Sequence, residues 1–414
     1  MHTGSPGQSK SGRRRALILF VAVTLAESLF LVTVIRERGL FDYLGLDYRG
    51  SRAAGEAILE HGLAGAYDSQ LLEEIQRPIY DEYTIASKEH GIPFYAIPAP
   101  YPPPFILAFV PSTVLPPVPG FLAWTLLHAA ALALYQLRLA KIFGVNRPGW
   151  LIAAISLSFP AFVNLIMGQL SVWLVIFFGE AVIAFLREKP LRAGLWLGCL
   201  ICKPQVLVLI VPALVVARMW RVLAGMALSV TALLLPALIV SPGWVHGFVE
   251  GIEAAAQSSG TAMNVFPSSM TNWRALAVNA SHWFPSPIVW GASGLAMIAT
   301  AIAGLSCSTG LRSNSGWRQS LAWLGLAAAT SAFTWHAHVH QLLLLVPPLY
   351  AVVGIRPAFQ DRAVKVALGS SGLFVLAAFM LGVGDAHDVL GLTLLACLVV
   401  ITAACAVQLK AELS

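Results

Sequence analysis

Asp47 is the side chain best suited to proton transfer in this sequence. It lies in a crowded acidic stretch, residues 37–89, which holds more than half of the chain's 20 acidic residues and follows the first apolar segment. A carboxylate sheltered at a lipid–water boundary can accept a proton from an incoming hydroxyl, acting as a general base. Two alternatives stay open from spacing alone. Asp47 caps the start of a helix, or nearby Asp42 is the base instead.

Lys203 is the cation whose position most strongly suggests binding. It interrupts an apolar run, residues 193–217, at the tripeptide Lys203-Pro204-Gln205. A cation below a membrane surface costs roughly 2.5–3.5 kcal/mol on insertion scales unless an anion or water meets it. We therefore predict that Lys203 binds a lipid phosphate, with Gln205 beside it and Arg274 as a second cation. The alternative is that Lys203 snorkels to the headgroups.

Three histidines alternate in "WHAHVHQ", residues 335–341. If this segment is helical, His336 and His340 share one face and His338 lies elsewhere. The pair lacks the glutamate that accompanies histidines in helical zinc motifs. We therefore expect His336 and His340 to hydrogen-bond a sugar or phosphate rather than a metal, with packing at a helix end as the alternative. No cofactor or metal is predicted.

Further polar residues are predicted to line a substrate pocket, and one of them is aromatic. Tyr101 begins the stiff segment "YPPP" and is placed in the pocket wall, although a membrane-interface anchor would look the same. The others in this predicted pocket are Asn164, Gln169, Asp42 and Arg52.

The composition places these residues in a membrane protein. The chain of 414 residues is 57% hydrophobic and 11% charged, with a mean hydropathy of +0.75. Soluble domains contain about 25% charged residues. This excludes a water-soluble core and a basic patch built for nucleic acid. The net charge of +6 is interpreted as cytosolic loop charge.

The apolar runs predict an all-α polytopic protein with about 12 transmembrane helices, each needing about 20 residues. Residues 1–15 form a basic cytosolic tail, 16–408 one transmembrane domain, and 409–414 a second cytosolic tail. Placing most Lys and Arg residues inside requires a short helix at 104–115 that dips without crossing, and a hairpin at 193–217. Two large outer loops, 36–118 and 243–285, then remain, the first carrying interfacial helices. The candidate residues converge on this outer face.

The order of motifs resembles glycosyltransferase family 87, within the GT-C class. The motifs are "LDYRGSRAAGEAILEHGLAGAYD" in the first loop, "YPPP", "NLIMGQLSVWL" and "CKPQVLVLIVPAL", and the resemblance covers roughly residues 40–360. It implies a GT-C-type fold and a sugar donor carried on a polyprenyl phosphate. It also implies transfer with inversion on the outer leaflet of the cell's plasma membrane. Mannose is the expected sugar, and a glycolipid or glycan the expected acceptor.

The resemblance also assigns roles to single residues. Asp47 occupies the place of the family's catalytic aspartate. Lys203 and Gln205 match its KPQ motif near the donor phosphate, and Gln169 matches its GQ. The segment 264–276, which contains Arg274, matches only loosely. Such a reaction needs positioning, a base and cations at the departing phosphate.

Two other functions stay open. A transporter or lipid flippase would line its pathway with Lys203 and the histidines, but such proteins usually carry matching charged groups in both halves. Here the second half has no counterpart of Lys203 or of the acidic loop. A non-catalytic subunit of an envelope-glycan assembly system would tolerate loss of Asp47, whereas an enzyme would not.

Overall fold

The structure is a computed structural model that describes residues 10–85, 94–257 and 266–412. Regular structure in these ranges is helical, apart from an isolated bridge between Gly39 and Thr84. The α-helices are α1 (Lys10–Arg38), α2 (Leu46–His61), α3 (Ser69–Tyr83), α4 (Pro103–Leu107), α5 (Pro117–Phe143), α6 (Gly149–Ser156), α7 (Phe159–Met167), α8 (Ser171–Leu186), α9 (Pro190–Gly198), α10 (Ile210–Val216), α11 (Trp220–Val240), α12 (Trp244–Gln257), α13 (Trp273–Ala280), α14 (Ser286–Ser306), α15 (Ser308–Leu311), α16 (Gly316–Phe333), α17 (Val346–Ile355), α18 (Gln360–Leu381) and α19 (Val383–Ala411). Short 3₁₀ turns connect several of them, at Leu63–Tyr67, Val110–Val114, Cys199–Cys202, Pro204–Leu207, Pro267–Ser269, Val339–Leu345 and Pro357–Phe359.

Six helices in the described ranges are long and apolar enough to cross a membrane. A helix satisfies its own backbone hydrogen bonds, which lipid cannot do. The pair formed by α6 and α7, bent by 51°, makes seven if it counts as one span. The six are Leu17–Arg38, Pro117–Phe143, Trp220–Val240, Ser286–Leu311, Pro357–Leu381 and Asp385–Ala411.

The structure does not confirm the predicted count of about 12 spans. The apolar runs near 170 and 341, which were predicted as full spans, fold into helices of 10–17 residues. The run at 104–115, predicted as a short helix that dips, and the two arms of the predicted hairpin at 193–217 are in the same length class. Prolines begin three of these five shorter helices, because proline lacks an N–H and restricts the residue before it. A 12-residue helix is about 18 Å long, short of the roughly 30 Å of hydrocarbon. The shorter apolar helices are Pro103–Val114, Ser171–Leu186, Pro190–Cys202, Pro204–Val216 and Val339–Ile355.

Two glycines define the path of the chain around Lys203. A Cβ at Gly194 on α9 would lie 1.9 Å from the carbonyl oxygen of Val222 on α11. One at Gly198 would lie 2.6 Å from Cβ of Ser229. The two helices therefore touch closely and run in the same direction. The chain between them, which contains Lys203, therefore has to double back.

The first loop folds into helices packed against the transmembrane bundle. One face of α2 is fully buried, including Ala53, Ala54 and Ala57. Gly50 lets α2 approach the extended segment 94–100, since a Cβ there would lie 2.5 Å from Cβ of Ile97. Asp68 caps α3 by accepting hydrogen bonds from the amides of residues 70 and 71. The start of α2 is thereby held inside the protein.

Candidate functional site

Asp47 lies in the first turn of α2, but its side chain does not cap the helix. The N-cap is Gly45, with φ of 73°, and no side chain caps this end. The carboxylate instead accepts a 2.6 Å hydrogen bond from the side-chain amide of Gln169. The helix-cap interpretation of Asp47 is therefore wrong. The partial positive charge at the start of α2 still favours an ionised carboxylate there.

A glycine brings Gln169 to Asp47. Gly168 ends α7 with φ of 76°, a left-handed conformation that side chains rarely adopt. A Cβ at this position would lie 2.5 Å from Cβ of Tyr48, the neighbour of Asp47. The amide of Gly45 also donates to the carbonyl of Ile166 at 2.6 Å. The end of α7 and the start of α2 are thus in direct contact.

Asn164 shapes the same turn from inside. It is 1% exposed, and its side-chain oxygen accepts from the amide of Ser171 at 3.0 Å. Its backbone carbonyl accepts from the amide of Gln169 at 2.9 Å. Asn164 was predicted to line the pocket. Its observed contacts position Gln169.

Lys203 lies on the other side of Gln169. It sits between two 3₁₀ turns, 3% exposed. Its ammonium donates to the side-chain oxygen of Gln169 at 3.2 Å and to Nε2 of His340 at 3.0 Å. Because a lysine ammonium only donates, the His340 ring accepts through Nε2. Gln169 therefore joins the carboxylate to the cation, one through each end of its amide.

Tyr101 closes this cluster. The Lys203 ammonium lies 5.5 Å from the centre of its ring, within cation–π range. The phenol also hydrogen-bonds Gln169, and the ring stacks on Phe105 with centroids 3.9 Å apart. The YPPP segment thus brings the Tyr101 ring next to Gln169 and Lys203.

The histidine segment does not form the continuous α-helix on which a shared face of His336 and His340 would depend. Helix α16 ends at Phe333, and His338 has an extended backbone with φ of −90° and ψ of 163°. In this conformation the three rings form a row. The rings of His336 and His338 are 4.9 Å apart, and those of His338 and His340 are 6.0 Å apart. His338 therefore belongs with the other two.

Arg274 reaches the far end of this row from α13. Its guanidinium lies 5.0 Å from the ring centre of Trp335. Burial is the main cause that lowers the pKa of His336 to about 3, and the positive charges of Lys203 and Arg274 lower it further. His336 is therefore neutral, and it is near enough to both cations for their charges to act on it. Burial lowers the pKa of Arg274 as well.

Three predicted pocket or donor residues have other contacts. Arg52 donates to the carbonyls of Ser112 and Leu115 at 2.6 and 2.8 Å and to Glu56 at 2.7 Å, so it anchors α2 rather than lining a pocket. Asp42 pairs with Arg38 at 3.2 Å. Gln205 is partly buried, and its backbone carbonyl accepts from Thr334 at 3.1 Å.

Burial dominates the electrostatics of Asp47. Loss of water around the carboxylate raises its pKa above the usual 3.8. The Gln169 hydrogen bond and the charges of Lys203 and Arg49 lower that pKa in turn, which limits the rise. A carboxylate with a raised pKa is a stronger base than a solvated one, as general-base catalysis near neutral pH requires.

Arg49 was missed in the sequence. It is 1% exposed and donates to the carbonyls of Phe41 and Tyr95 at 2.8 and 2.6 Å. It also donates to the side chain of Gln76 at 3.3 Å. These bonds hold the residue two positions after Asp47 in place. No signal in the sequence separates this arginine from others in the loop.

An apolar cavity of about 440 Å³ opens beside the cluster. Its wall includes Leu170 and Cys202, the neighbours of Gln169 and Lys203, and Pro104, close to Tyr101. Trp124, another lining residue, donates its indole N–H to the carbonyl of Gly168 at 3.1 Å. The cavity wall therefore includes the sequence neighbours of Gln169 and Lys203, while the side chains of Gln169 and Lys203 themselves do not line it.

The described residues contain no group of three His, Cys, Asp or Glu side chains placed to hold a metal ion. The sequence model of glycosyltransferase family 87 matches residues 100–411, well over half of the chain. The matched range contains Tyr101, Gln169, Lys203 and Arg274 and begins after Asp47. No curated protein and no solved structure matches the chain.

Proposed function

Because the chain belongs to glycosyltransferase family 87, we propose that it transfers mannose from a polyprenyl-phosphate donor to a hydroxyl of a glycolipid or glycan. The reaction takes place at the outer face of the plasma membrane, with both termini in the cytosol. The observation that carries the proposal is the Gln169 amide, which holds a carboxylate at 2.6 Å and an ammonium at 3.2 Å. A base and a cation are thus fixed at a small separation without contact between them.

Asp47 acts as the general base. Its free oxygen accepts the proton of the acceptor hydroxyl, while the hydroxyl oxygen forms a bond to the anomeric carbon of the donor sugar. The bond between that carbon and the phosphate oxygen breaks on the opposite face, so the configuration inverts. The electron pair leaves with the polyprenyl phosphate. The products are a new glycosidic bond, a protonated Asp47 and a free lipid phosphate.

Cations receive the departing phosphate. Lys203 is buried and already aimed at the cluster, so little reorganisation is needed when negative charge develops there. Arg274 and the neutral His336 supply further donors along the histidine row. The donor phosphate binds near Lys203, with the sugar directed towards Asp47.

The apolar cavity supports a lipid-linked donor rather than a soluble nucleotide sugar. Its wall includes Cys202 and Leu170, the sequence neighbours of Lys203 and Gln169. Each buried methylene of a lipid chain contributes about 0.8 kcal/mol. An isoprenoid tail in this cavity would place its phosphate at the ammonium. A nucleotide base would find few hydrogen-bonding partners in such a wall.

A transfer assay tests this proposal. Purified full-length protein in lipid is given radiolabelled polyprenyl-phosphate mannose and a membrane-lipid acceptor pool, with other lipid-linked sugars and GDP-mannose in parallel. We expect transfer from the polyprenyl-phosphate mannose alone. Transfer from GDP-mannose at an equal rate would contradict the lipid-linked donor. Donor-independent movement of lipid between leaflets, without transfer from any donor, would favour a flippase.

A further inference from the structure

A second cavity, of about 500 Å³, lies in the loop region away from the apolar one. It lies between the start of α3, the extended segment 94–100 and helix α12. Its volume falls in the range of roughly 300–1,000 Å³ that is usual for small-molecule sites. Asp47, Gln169, Lys203 and Tyr101 do not line this cavity, so the proposed reaction gives it no role.

The walls of the cavity are rigidly built. Gly247 and Gly251 are one turn apart on α12 and face the same way. A Cβ at Gly247 would lie 2.6 Å from Cβ of Tyr67, and one at Gly251 would lie 3.3 Å from Cβ of Pro100. The two glycines let the helix close against the loop. The cavity is therefore formed by close backbone contacts, as a preformed site requires.

The opposite wall is fixed from behind. The side chain of Gln76 bonds both the amide and the carbonyl of Ile97, at 2.9 and 3.0 Å. Arg49 binds the carbonyl of Tyr95 at 2.6 Å. Pro98 and Pro100 stiffen the rest of the segment. The side chains on the cavity side of this segment are held ready for a ligand.

The lining combines aromatic rings with hydrogen-bond acceptors. Tyr67, Phe94 and Tyr95 supply rings, and Glu73 and Glu250 supply carboxylates. Among the residues that the structure describes, the lining includes no Lys, Arg or His. Rings pack against the apolar C–H faces of sugars, and carboxylates accept hydrogen bonds from hydroxyls. This surface suits a ligand rich in hydroxyl donors and disfavours an anion.

The two carboxylates have partners at the rim. Glu73 pairs with Arg77, whose guanidinium lies 4.6 Å from the ring centre of Phe94. Glu250 pairs with His246 at 3.2 Å, with both side chains exposed. Each pair orients its carboxylate and leaves oxygen lone pairs for a ligand. Exposed pairs of this kind contribute little to stability, so the carboxylates can be changed without unfolding the protein.

The cavity is connected to the Asp47 cluster through one hydrogen bond. The Tyr67 hydroxyl donates to the carbonyl of Tyr101 at 2.7 Å. Pro100 lines the cavity, and the next residue, Tyr101, contacts Lys203 and Gln169. The cavity and the Asp47 cluster are therefore neighbours at Pro100 and Tyr101.

We propose that this cavity binds the neutral glycan portion of the acceptor, behind the sugar whose hydroxyl reacts. The inference rests on the proposed function for its place in the reaction, but the binding itself does not depend on catalysis. It names the acceptor class as uncharged and hydroxyl-rich, extending over more than one sugar. Anionic glycans are excluded by Glu73 and Glu250.

Direct binding tests the cavity without turnover. Full-length protein in lipid nanodiscs is titrated with mannotriose, maltotriose, cellotriose and the anionic trigalacturonate, followed by saturation-transfer difference NMR. We expect at least one neutral trisaccharide to bind and trigalacturonate not to bind. Tyr95→Ala should weaken binding about tenfold, and the double variant Glu73→Gln/Glu250→Gln about threefold to tenfold.

Matched controls lie on the same helices. Glu74 and Glu253 do not line the cavity, so Glu74→Gln/Glu253→Gln should bind like wild type. Binding of trigalacturonate as tight as that of the neutral sugars would overturn the proposal. So would failure of all three neutral trisaccharides, or wild-type affinity in both the Tyr95 and the double glutamate variants.

Asp47→Asn separates this proposal from the proposed function. It should bind the neutral trisaccharide normally and transfer nothing. If wild type binds the trisaccharide but no lipid-linked sugar supports transfer, the proposed function fails and the cavity stands. If transfer proceeds and the cavity variants keep the wild-type acceptor KM, the cavity proposal fails and the function stands.

Discussion

Helix α8 and the turn before it carry two buried polar groups that meet cations in opposite ways. Glu180, within the helix, binds Arg138 directly through two bonds of 2.9 and 3.1 Å, and Tyr135 adds a third at 3.3 Å. Gln169, just before the helix, keeps Asp47 and Lys203 apart while bonding both. One arrangement is a closed ion pair. The other is an ion pair held open by an amide.

The two arrangements suit different roles, one in stability and the other in catalysis. In the Glu180 pair both carboxylate oxygens accept hydrogen bonds from the same guanidinium, so the negative charge is neutralised by direct contact with Arg138. In the Asp47 cluster one oxygen accepts from Gln169, and burial raises the pKa of the carboxyl. Direct contact with Lys203 would lower that pKa further and weaken the base. The open arrangement therefore suits catalysis, and the closed one suits stability.

The largest expected effect comes from removing the base. Asp47→Asn keeps the size and the hydrogen bond to Gln169 but cannot take a proton. We expect kcat, measured by transfer from polyprenyl-phosphate mannose, to fall about 10²–10⁴-fold. The thermal unfolding temperature should not change. Asp42→Asn is the control, because Asp42 pairs with Arg38, and it should keep wild-type activity. The reverse pattern would move the base to Asp42.

Removing the cation should come next. Lys203→Ala leaves the departing phosphate without its buried donor, and we expect kcat/KM for the donor to fall about 10²–10³-fold. Lys141→Ala, an exposed lysine at the end of α5, is the control. Initial rates over a range of donor concentrations give kcat and KM separately. An unchanged kcat/KM in Lys203→Ala would remove Lys203 from the phosphate site.

Removing the side chain of Gln169, which bonds both Asp47 and Lys203, should have an intermediate effect on activity. It should also change how activity depends on pH. Asp47 works ionised, and burial raises its pKa, so wild-type activity should fall as the pH drops through that raised pKa, above 3.8. Gln169→Ala removes a bond that lowers this pKa, so the acid limb should move to higher pH. Loss of positioning should reduce kcat up to about 10²-fold.

A second buried glutamine provides the control for the bridge. Gln136 bonds Ser156 and Tyr350 in the helix core. Gln136→Ala should lower the unfolding temperature and leave the pH profile of kcat unchanged. An acid limb that stays in place in Gln169→Ala would mean that this amide does not tune Asp47.

The smallest effect on activity is expected at the closed pair. Glu180→Gln leaves Arg138 without its carboxylate and should reduce the free energy of unfolding by about 1–3 kcal/mol. Arg138 is half exposed, so water can hydrate its guanidinium in the variant. The loss in the free energy of unfolding should therefore lie near the lower end of this range. Transfer activity should stay within twofold of wild type once the protein is folded. A large loss of activity at an unchanged unfolding temperature would contradict the comparison.

Much of the site could be predicted because its residues are costly in a membrane protein. Asp47, Lys203 and Gln169 stood out as polar groups within or beside apolar runs, and the structure brings all three together. Arg52 and Asp42 are polar as well, but carbonyls and Arg38 occupy them. Pairing of this kind depends on distant segments, such as residues 112–115 for Arg52. Spacing along the chain does not contain it.

The backbone accounts for the predictions that were wrong. The alternation of histidines gave no sign that α16 ends at Phe333. A face shared by His336 and His340 depended on a helix there, and the structure has a row of three rings instead. The apolar runs near 170 and 341 likewise predicted full spans where the chain forms helices of 10–17 residues. Hydropathy measures how apolar a segment is. It does not measure how long one helix remains unbroken.

The sequence alone determined that this chain is a helical membrane protein. It also determined which charged residues lie within or beside apolar segments. These properties follow from the composition of each segment, because lipid accepts only self-satisfied helices and penalises every buried charge. Only the tertiary structure decided that Gln169 stands between Asp47 and Lys203. That arrangement requires the left-handed Gly168, the contact with Tyr48 and the reversal at Lys203 together. The contact joins residues more than 100 positions apart, and only packing brings them within hydrogen-bond distance.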